Sequence, residues 1–212
     1  MERLDFTDFR SDLDSVIKSS LYHGQIEPLD EFVDYIKQMI QNVMEANLPE
    51  IRSSQSTGTE FKLSSIDKQS HLAEAEFNFN LLGDLYKNYC NGFIDLLFKR
   101  GEFYSILDWK SDSLTDDFDS FGSDTVLEEH TNNSYAIQRV LYAYCLIKWL
   151  QNIYPNESCE EIFNHHFGGV YYVYLRGCIK NTSNGIYAQT WPDFKTLKQA
   201  FDNIIAKRIG GN

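Results

Sequence analysis

Apolar and charged positions interrupt each other most sharply between residues 92 and 110. There Gly-Phe-Ile-Asp-Leu-Leu-Phe-Lys-Arg-Gly-Glu-Phe-Tyr-Ser-Ile-Leu-Asp-Trp-Lys reads as two apolar runs, 92–98 and 103–110, joined by a tight turn at Arg100-Gly101. Strand side chains alternate between faces, so Leu107 and Trp109 share one packed face while Asp108 and Lys110 share the other. Antiparallel pairing of the two runs brings Asp95 near Asp108. Elsewhere, Phe32, Val33, Ile36, Met39, Ile40 and Val43 recur at helical spacing and predict a helix over 29–46. A second helix is expected from about Asn133 to Gln151, ended by Pro155, with Ile137, Val140, Leu141, Tyr144 and Ile147 on its packed side. Gln138 and Tyr142 lie one turn apart on another face, with Cys145. Residues 50–70, rich in Ser, Thr and Gln and containing Gly58, read as loop, and a strand is expected at 76–81. Gly168-Gly169 open a further strand at 170–176, and an amphipathic helix from Thr196 to Arg208 closes the chain. A hairpin, a crossover helix and a returning strand make an α/β domain: a central mixed sheet flanked by helices on both sides, without internal repeats.

Charges seldom sit within apolar strands without a reason. Two carboxylates with a lysine beside them suit a hard divalent cation and an anionic substrate. A buried Asp–Lys pair, with Asp95 capping the hairpin, accounts for the same residues equally well, and D-x-K alone does not decide between them.

At 212 residues the chain suffices for one domain with a substantial core. Its net charge of -12 has the wrong sign for a free-standing DNA binder. Asp112, Asp116, Asp117, Asp119, Asp124, Glu128 and Glu129 fall in one Ser- and Gly-interleaved stretch, expected to be a solvated loop beside the hairpin. Cys90, Cys145, Cys159 and Cys178 are scattered without a C-x-x-C pair, which argues against a cysteine zinc site or iron–sulfur cluster and fits free thiols in a reducing cytosol. Apolar stretches stay short of the ~20 residues of a membrane span, and the N-terminus lacks a signal-peptide pattern.

The segments G-x-x-D-L-x-F (92–98) and L-D-W-K-S-D-x-L (107–114) resemble the active-site hairpin of the PD-(D/E)xK nuclease superfamily, specifically of RecB-type helicase-nucleases. Three further segments agree, in the family's order: Glu74-Ala-Glu-Phe77; the Q-x-x-x-Y of Gln138 and Tyr142; and His165-His-Phe-Gly-Gly-Val-Tyr-Tyr-Val-Tyr-Leu-Arg-Gly177, followed by Gly185-Ile-Tyr187. The resemblance extends from about Leu4 to the end. It implies a restriction-endonuclease-like core in a single nuclease domain spanning 1–212, with 1–70 as a helical N-terminal part and loop and 71–212 as catalytic core.

It also implies an Mg²⁺-dependent DNA exonuclease or endonuclease of double-strand break repair and linear-DNA degradation. Glu76, Asp95, Asp108 and the backbone carbonyl of Trp109 would be metal ligands, with Mn²⁺ or Ca²⁺ able to substitute. Lys110 would orient the attacking water, Gln138 and Tyr142 would position water or backbone, and Lys110, Gln138, Tyr142 and Arg176 would contact DNA. Implied partners are single-stranded DNA, linear duplex ends, and RecC-like and RecD-like subunits in a bacterial cytoplasm. Two positions depart from the family's pattern: Trp109 stands for its usual tyrosine and Asp112 for its asparagine. The family's upstream histidine ligand has no counterpart before Leu4, and His23, His71 and His130 lie elsewhere, so an excised fragment with weakened metal affinity is expected. Without a G-x-x-x-x-G-K-[ST] loop, ATP use belongs to a missing helicase part. The rival expectation is a catalytically weak nuclease-fold docking module within a larger complex, favoured by the acidity.

Overall fold

The computed structural model describes residues 4–52, 59–80, 89–112, 114, 121–122 and 124–209. In chain order the elements are α1 (Leu13–His23), α2 (Asp30–Glu45), β1 (Leu48–Pro49), β2 (Glu60–Phe61), β3 (His71–Asn80), β4 (Tyr89–Arg100), β5 (Phe103–Lys110), α3 (Asp124–Ile153), α4 (Cys159–His166), β6 (Phe167–Tyr174), β7 (Ile186–Gln189) and α5 (Phe194–Ile209). Strands β3-β4-β5-β6-β7 form one sheet in that spatial order. Every pairing is antiparallel except β5 with β6, which α3 and α4 join as the crossover. The sheet is therefore mixed, and helices cover both faces, as in a restriction-endonuclease-like core.

Each face has its own core. Leu13 and Ile17 of α1 and Val33, Val43 and Met44 of α2 pack with Leu96, Phe98, Leu107, Tyr171 and Val173. On the other face Val140, Leu146, Ile147 and Leu150 of α3, Phe163 of α4 and Leu197 and Phe201 of α5 pack with Ile94, Leu97, Ile106, Val170, Tyr172 and Tyr174. β6 is buried along its whole length, as expected of a central strand flanked by helices.

Several sequence expectations need correction. α3 starts at Asp124, not near Asn133, so Asp124, Glu128 and Glu129 ride on a helix instead of a loop. Leu127 and Thr131, four apart, anchor that first part in the core, while the acids face water and Asp124 sits in the first turn, where the helix dipole favours it. Asp116, Asp117, Asp119, Gly58 and the side chain of Cys90 lie outside the described residues. Ile137 is exposed, not packed. The stretch 50–70 holds the β1–β2 pair and two 3₁₀ turns, with Phe61, Leu63 and Ile66 buried. The hairpin turn is Gly101-Glu102, with Arg100 paired to Phe103; Gly101 takes φ 56°, the left-handed conformation a two-residue turn demands at its first position. Gly168 and Gly169 lie inside β6, which spans Phe167–Tyr174. A Cβ on Gly168 would meet Ser105 Oγ at 2.2 Å, so this glycine lets β6 close on β5. No helix among the described residues is long and apolar enough to cross a membrane.

Candidate active site

The hairpin pairs from Arg100↔Phe103 to Leu96↔Leu107, and there the β4–β5 ladder stops. β4 keeps pairing with β3, but both strands break their alternation at this level. Ala73 and Leu96 pack on the α2 face, whereas their next-but-one neighbours Ala75 and Ile94 pack on the α3 face. Between them Glu74, at φ 50°, lies across from Asp95 in the β3–β4 register. The kink swings Asp95 towards β5, where its Oδ2 accepts the backbone N–H of Trp109 at 2.8 Å. The N–H and C=O of one strand residue point to the same side, so the Trp109 carbonyl also faces the opening between β4 and β5.

Alternation on β5 directs Asp108 and Lys110 to the α3 face, and both are buried, at 4% and 7% exposure. Lys110 Nζ lies 2.5 Å from Asp108 Oδ1. Gln138 on α3 joins the two, donating from Nε2 to Asp108 Oδ2 at 3.0 Å and accepting from Lys110 Nζ at 3.2 Å. Gln138 also donates to the Tyr142 hydroxyl at 3.2 Å, which in turn donates to the Phe93 carbonyl at 3.0 Å. The Tyr142 ring meets Phe77 edge-on. The Lys110 ammonium stands 3.7 Å from the centre of the Tyr135 ring and 5.0 Å from that of Tyr172, cation–π contacts strengthened by desolvation.

Burial raises the Asp108 pKa above the ordinary aspartate value, the Asp95 charge adds to the rise, and Lys110 and Gln138 oppose it. Burial likewise raises Asp112, yet hydrogen bonds from the Tyr135 hydroxyl and His130 outweigh it and hold that carboxyl low. Burial pushes the phenols of Tyr135 and Tyr172 up and that of Tyr174 to about 12.

The structure thus brings together Asp95, Asp108, Lys110, Gln138, Tyr142 and the Trp109 backbone. Glu76 is exposed, on the strand face opposite Ala75 and Phe77, and neither hydrogen bond nor ion pair joins it to this group. Arg176 is exposed two residues past the end of β6; its neighbour Leu175 donates to the Lys110 carbonyl at 2.9 Å. Asp112 is no loosely solvated acid, being held by His130 and Tyr135 of α3. Sequence reasoning missed Tyr135, Tyr172 and His130. Tyr135 was within reach, since 135, 138 and 142 share one helical face; Tyr172 emerges only from the β5–β6 register, which sets it beside Asp108.

Chemically, the donors around Asp95 and Asp108 are all oxygens, and two like charges on adjoining strands raise the cost of ionising both. A hard divalent cation relieves that repulsion, so the residues fit one.

No family model matches the chain. It is 31% identical over 146 residues to the RecBCD enzyme subunit RecB of Buchnera aphidicola subsp. Schizaphis graminum, covering 69% of this chain and 11% of that subunit. It is 34% identical over 97 residues to the RecB subunit of Escherichia coli K12, covering 45% of this chain and 8% of the subunit. With the RecB subunit of Haemophilus influenzae it shares 26% over 117 residues, 55% of this chain and 9% of the subunit. The chain spans about a tenth of the length of these curated relatives.

Proposed function

Since the chain is a RecB-like nuclease domain, we propose that it is a metal-dependent deoxyribonuclease that hydrolyses phosphodiester bonds of linear DNA, as the nuclease part of a RecBCD-type helicase–nuclease in double-strand break repair. The observation that carries this reading is the opening of the β4–β5 ladder at Asp95 and Asp108, with Lys110 beside them and Gln138 tying the lysine to the acid.

Asp95, Asp108 and the Trp109 carbonyl would hold Mg²⁺, with Glu76 as an outlying carboxylate. When bound, the ion supplies an acidified water and offsets charge on the phosphate. Lys110 contributes a positive charge among aromatic walls, where it can orient that water and contact a phosphate oxygen. Gln138 keeps Lys110 and Asp108 aligned, and Tyr142 holds Gln138 against the Phe93 carbonyl. Arg176 is the cation nearest in sequence to the C-terminal end of β6 and is assigned to DNA phosphate.

The net charge of -12 has the wrong sign for capturing DNA unaided, so DNA would arrive from helicase domains and RecC-like and RecD-like subunits in the bacterial cytoplasm. The described chain would form one nuclease domain, its helical N-terminal part covering the sheet face opposite the site. Incubation with linear single-stranded DNA and Mg²⁺ or Mn²⁺, with Lys110→Ala in parallel, tests the reading. Metal-dependent cleavage lost in the variant supports it. Cleavage unchanged in the variant overturns the assigned chemistry, and no cleavage by the unaltered chain favours the docking module.

A further inference from the structure

We propose that Glu157, His165 and His166 form a second metal site, separate from the Asp95–Asp108 group, for a borderline transition ion such as Zn²⁺. Glu157 lies between α3 and α4. Ser158 caps α4 through a reciprocal capping box with Glu161, which fixes how Glu157 enters the helix. One helix length on, His165 and His166 occupy the last turn of α4. One nitrogen from each ring and one carboxylate oxygen lie within 4.8 Å of one another.

The contacts around His166 aim one ring nitrogen at Glu157. Its Nδ1 lies 3.2 Å from the carbonyl oxygen of Glu102. A carbonyl only accepts, so the ring proton sits on Nδ1. The other ring nitrogen, Nε2, faces Glu157 Oε1 at 3.2 Å. The other carboxylate oxygen lies 3.3 Å from Nδ1 of His165. In a tetrahedral site with metal–ligand bonds of about 2.0–2.1 Å, neighbouring donors stand about 3.3 Å apart, and each histidine nitrogen lies about that far from its own Glu157 oxygen, within a group spanning no more than 4.8 Å.

The surroundings match those of a metal ligand. The His166 side chain is 9% exposed and stacks on Tyr154 at 3.8 Å and 7°, so its plane is fixed. Its outer nitrogen bonds to a backbone carbonyl, the arrangement that sets tautomer and aim in most histidine ligands. Two imidazoles and a carboxylate favour Zn²⁺ over Mg²⁺, whereas the all-oxygen donors on β4 and β5 do the reverse. Three protein ligands leave one position for water. The site joins the α3–α4 connection and α4 to the hairpin turn at Glu102. Eight residues of strand separate that turn from Lys110, about 26 Å at 3.3 Å per residue, so the two sites occupy opposite ends of β5.

The test uses the 212-residue chain stripped with a chelator and titrated with Zn²⁺ by calorimetry and with Co²⁺ by visible absorption. The expected result is one ion per chain with four-coordinate Co²⁺ bands. Affinity should fall at least tenfold in Glu157→Gln and His165→Ala but hold in Asp108→Asn. Zn²⁺ should also raise the melting temperature of the unaltered chain and not that of Glu157→Gln. Absence of Co²⁺ bands and of Zn²⁺ heat, or binding unchanged by both substitutions, overturns the site and leaves a carboxylate–imidazolium contact. Neither readout depends on DNA cleavage, so this proposal and the nuclease reading fail separately.

Discussion

Asp95 and Trp109 are joined by a side chain where a ladder bond would otherwise run: Oδ2 of Asp95 accepts the Trp109 N–H at 2.8 Å. The contact lets the hairpin open without leaving that donor unpaired, and it frees the Trp109 carbonyl to face the gap. One carboxylate thus serves the fold with one oxygen and the proposed ion with the other.

The two duties separate by substitution. Asparagine at position 95 keeps an oxygen acceptor for Trp109 but removes the charge, so Asp95→Asn should stay within about 1 kcal/mol of the parent in denaturant melts. Its metal-dependent cleavage should drop roughly 100-fold or more. Asp95→Ala should lose activity and, in addition, about 1–3 kcal/mol of stability, because the N–H then lacks its partner.

Gln138 contacts Asp108, Lys110, Tyr142 and Tyr172. It bears no charge of its own to offer a phosphate, so the part proposed for it is alignment. Gln138→Ala should lower kcat about 10–100-fold, the range seen when partners of metal ligands are removed. KM for DNA should change little, and steady-state kinetics on a short single-stranded substrate would measure both.

Asp112 should leave a pH signature in stability. Its carboxyl is held below the ordinary value in the folded chain, net of burial, by Tyr135 and His130. Between the two values the unfolded chain binds more protons, so stability rises with pH there. The contribution is complete above the ordinary aspartate value, about 3.9, and disappears as pH falls through the depressed one. Chemical denaturation of the parent and Asp112→Asn should therefore differ at pH 7 and converge towards pH 3.

Gly168 sets how closely β6 approaches β5. Gly168→Ala would place a methyl 2.2 Å from Ser105 Oγ, in a region buried on both sides, and should cost about 1–3 kcal/mol, the usual range for overpacking. Ser105→Gly should recover part of that loss in the double variant, which a double-mutant cycle by urea denaturation would read as favourable coupling.

Much of this was legible in the chain. The hairpin and the shared direction of Asp108 and Lys110 follow from alternation alone, and Gln138 and Tyr142 from helical spacing. The kink at Glu74 and Asp95 was not legible, because it depends on two strands reversing alternation at the same level. The early start of α3 was hidden by its polar first turns, where Leu127 and Thr131 are the fully buried positions among the described residues. His130 rides on those turns and went unseen with them, whereas Tyr135 lay within the expected helix. The approach of Glu157 to two histidines across a short helix has no periodic signature, and in the sequence His165 and His166 stand out only as part of a terminal motif. Glu76 shows the reverse: the family resemblance singles it out, yet its strand turns it towards water.

The stacking of Lys110 over Tyr135, with ammonium to ring centre at 3.7 Å, carries a magnetic consequence. Circulating ring electrons shield protons held above the ring face, so the terminal methylene of this lysine should resonate well upfield of the other lysines. That displaced signal would act as an internal flag for the assembled hairpin, legible by NMR before any nucleic acid is added.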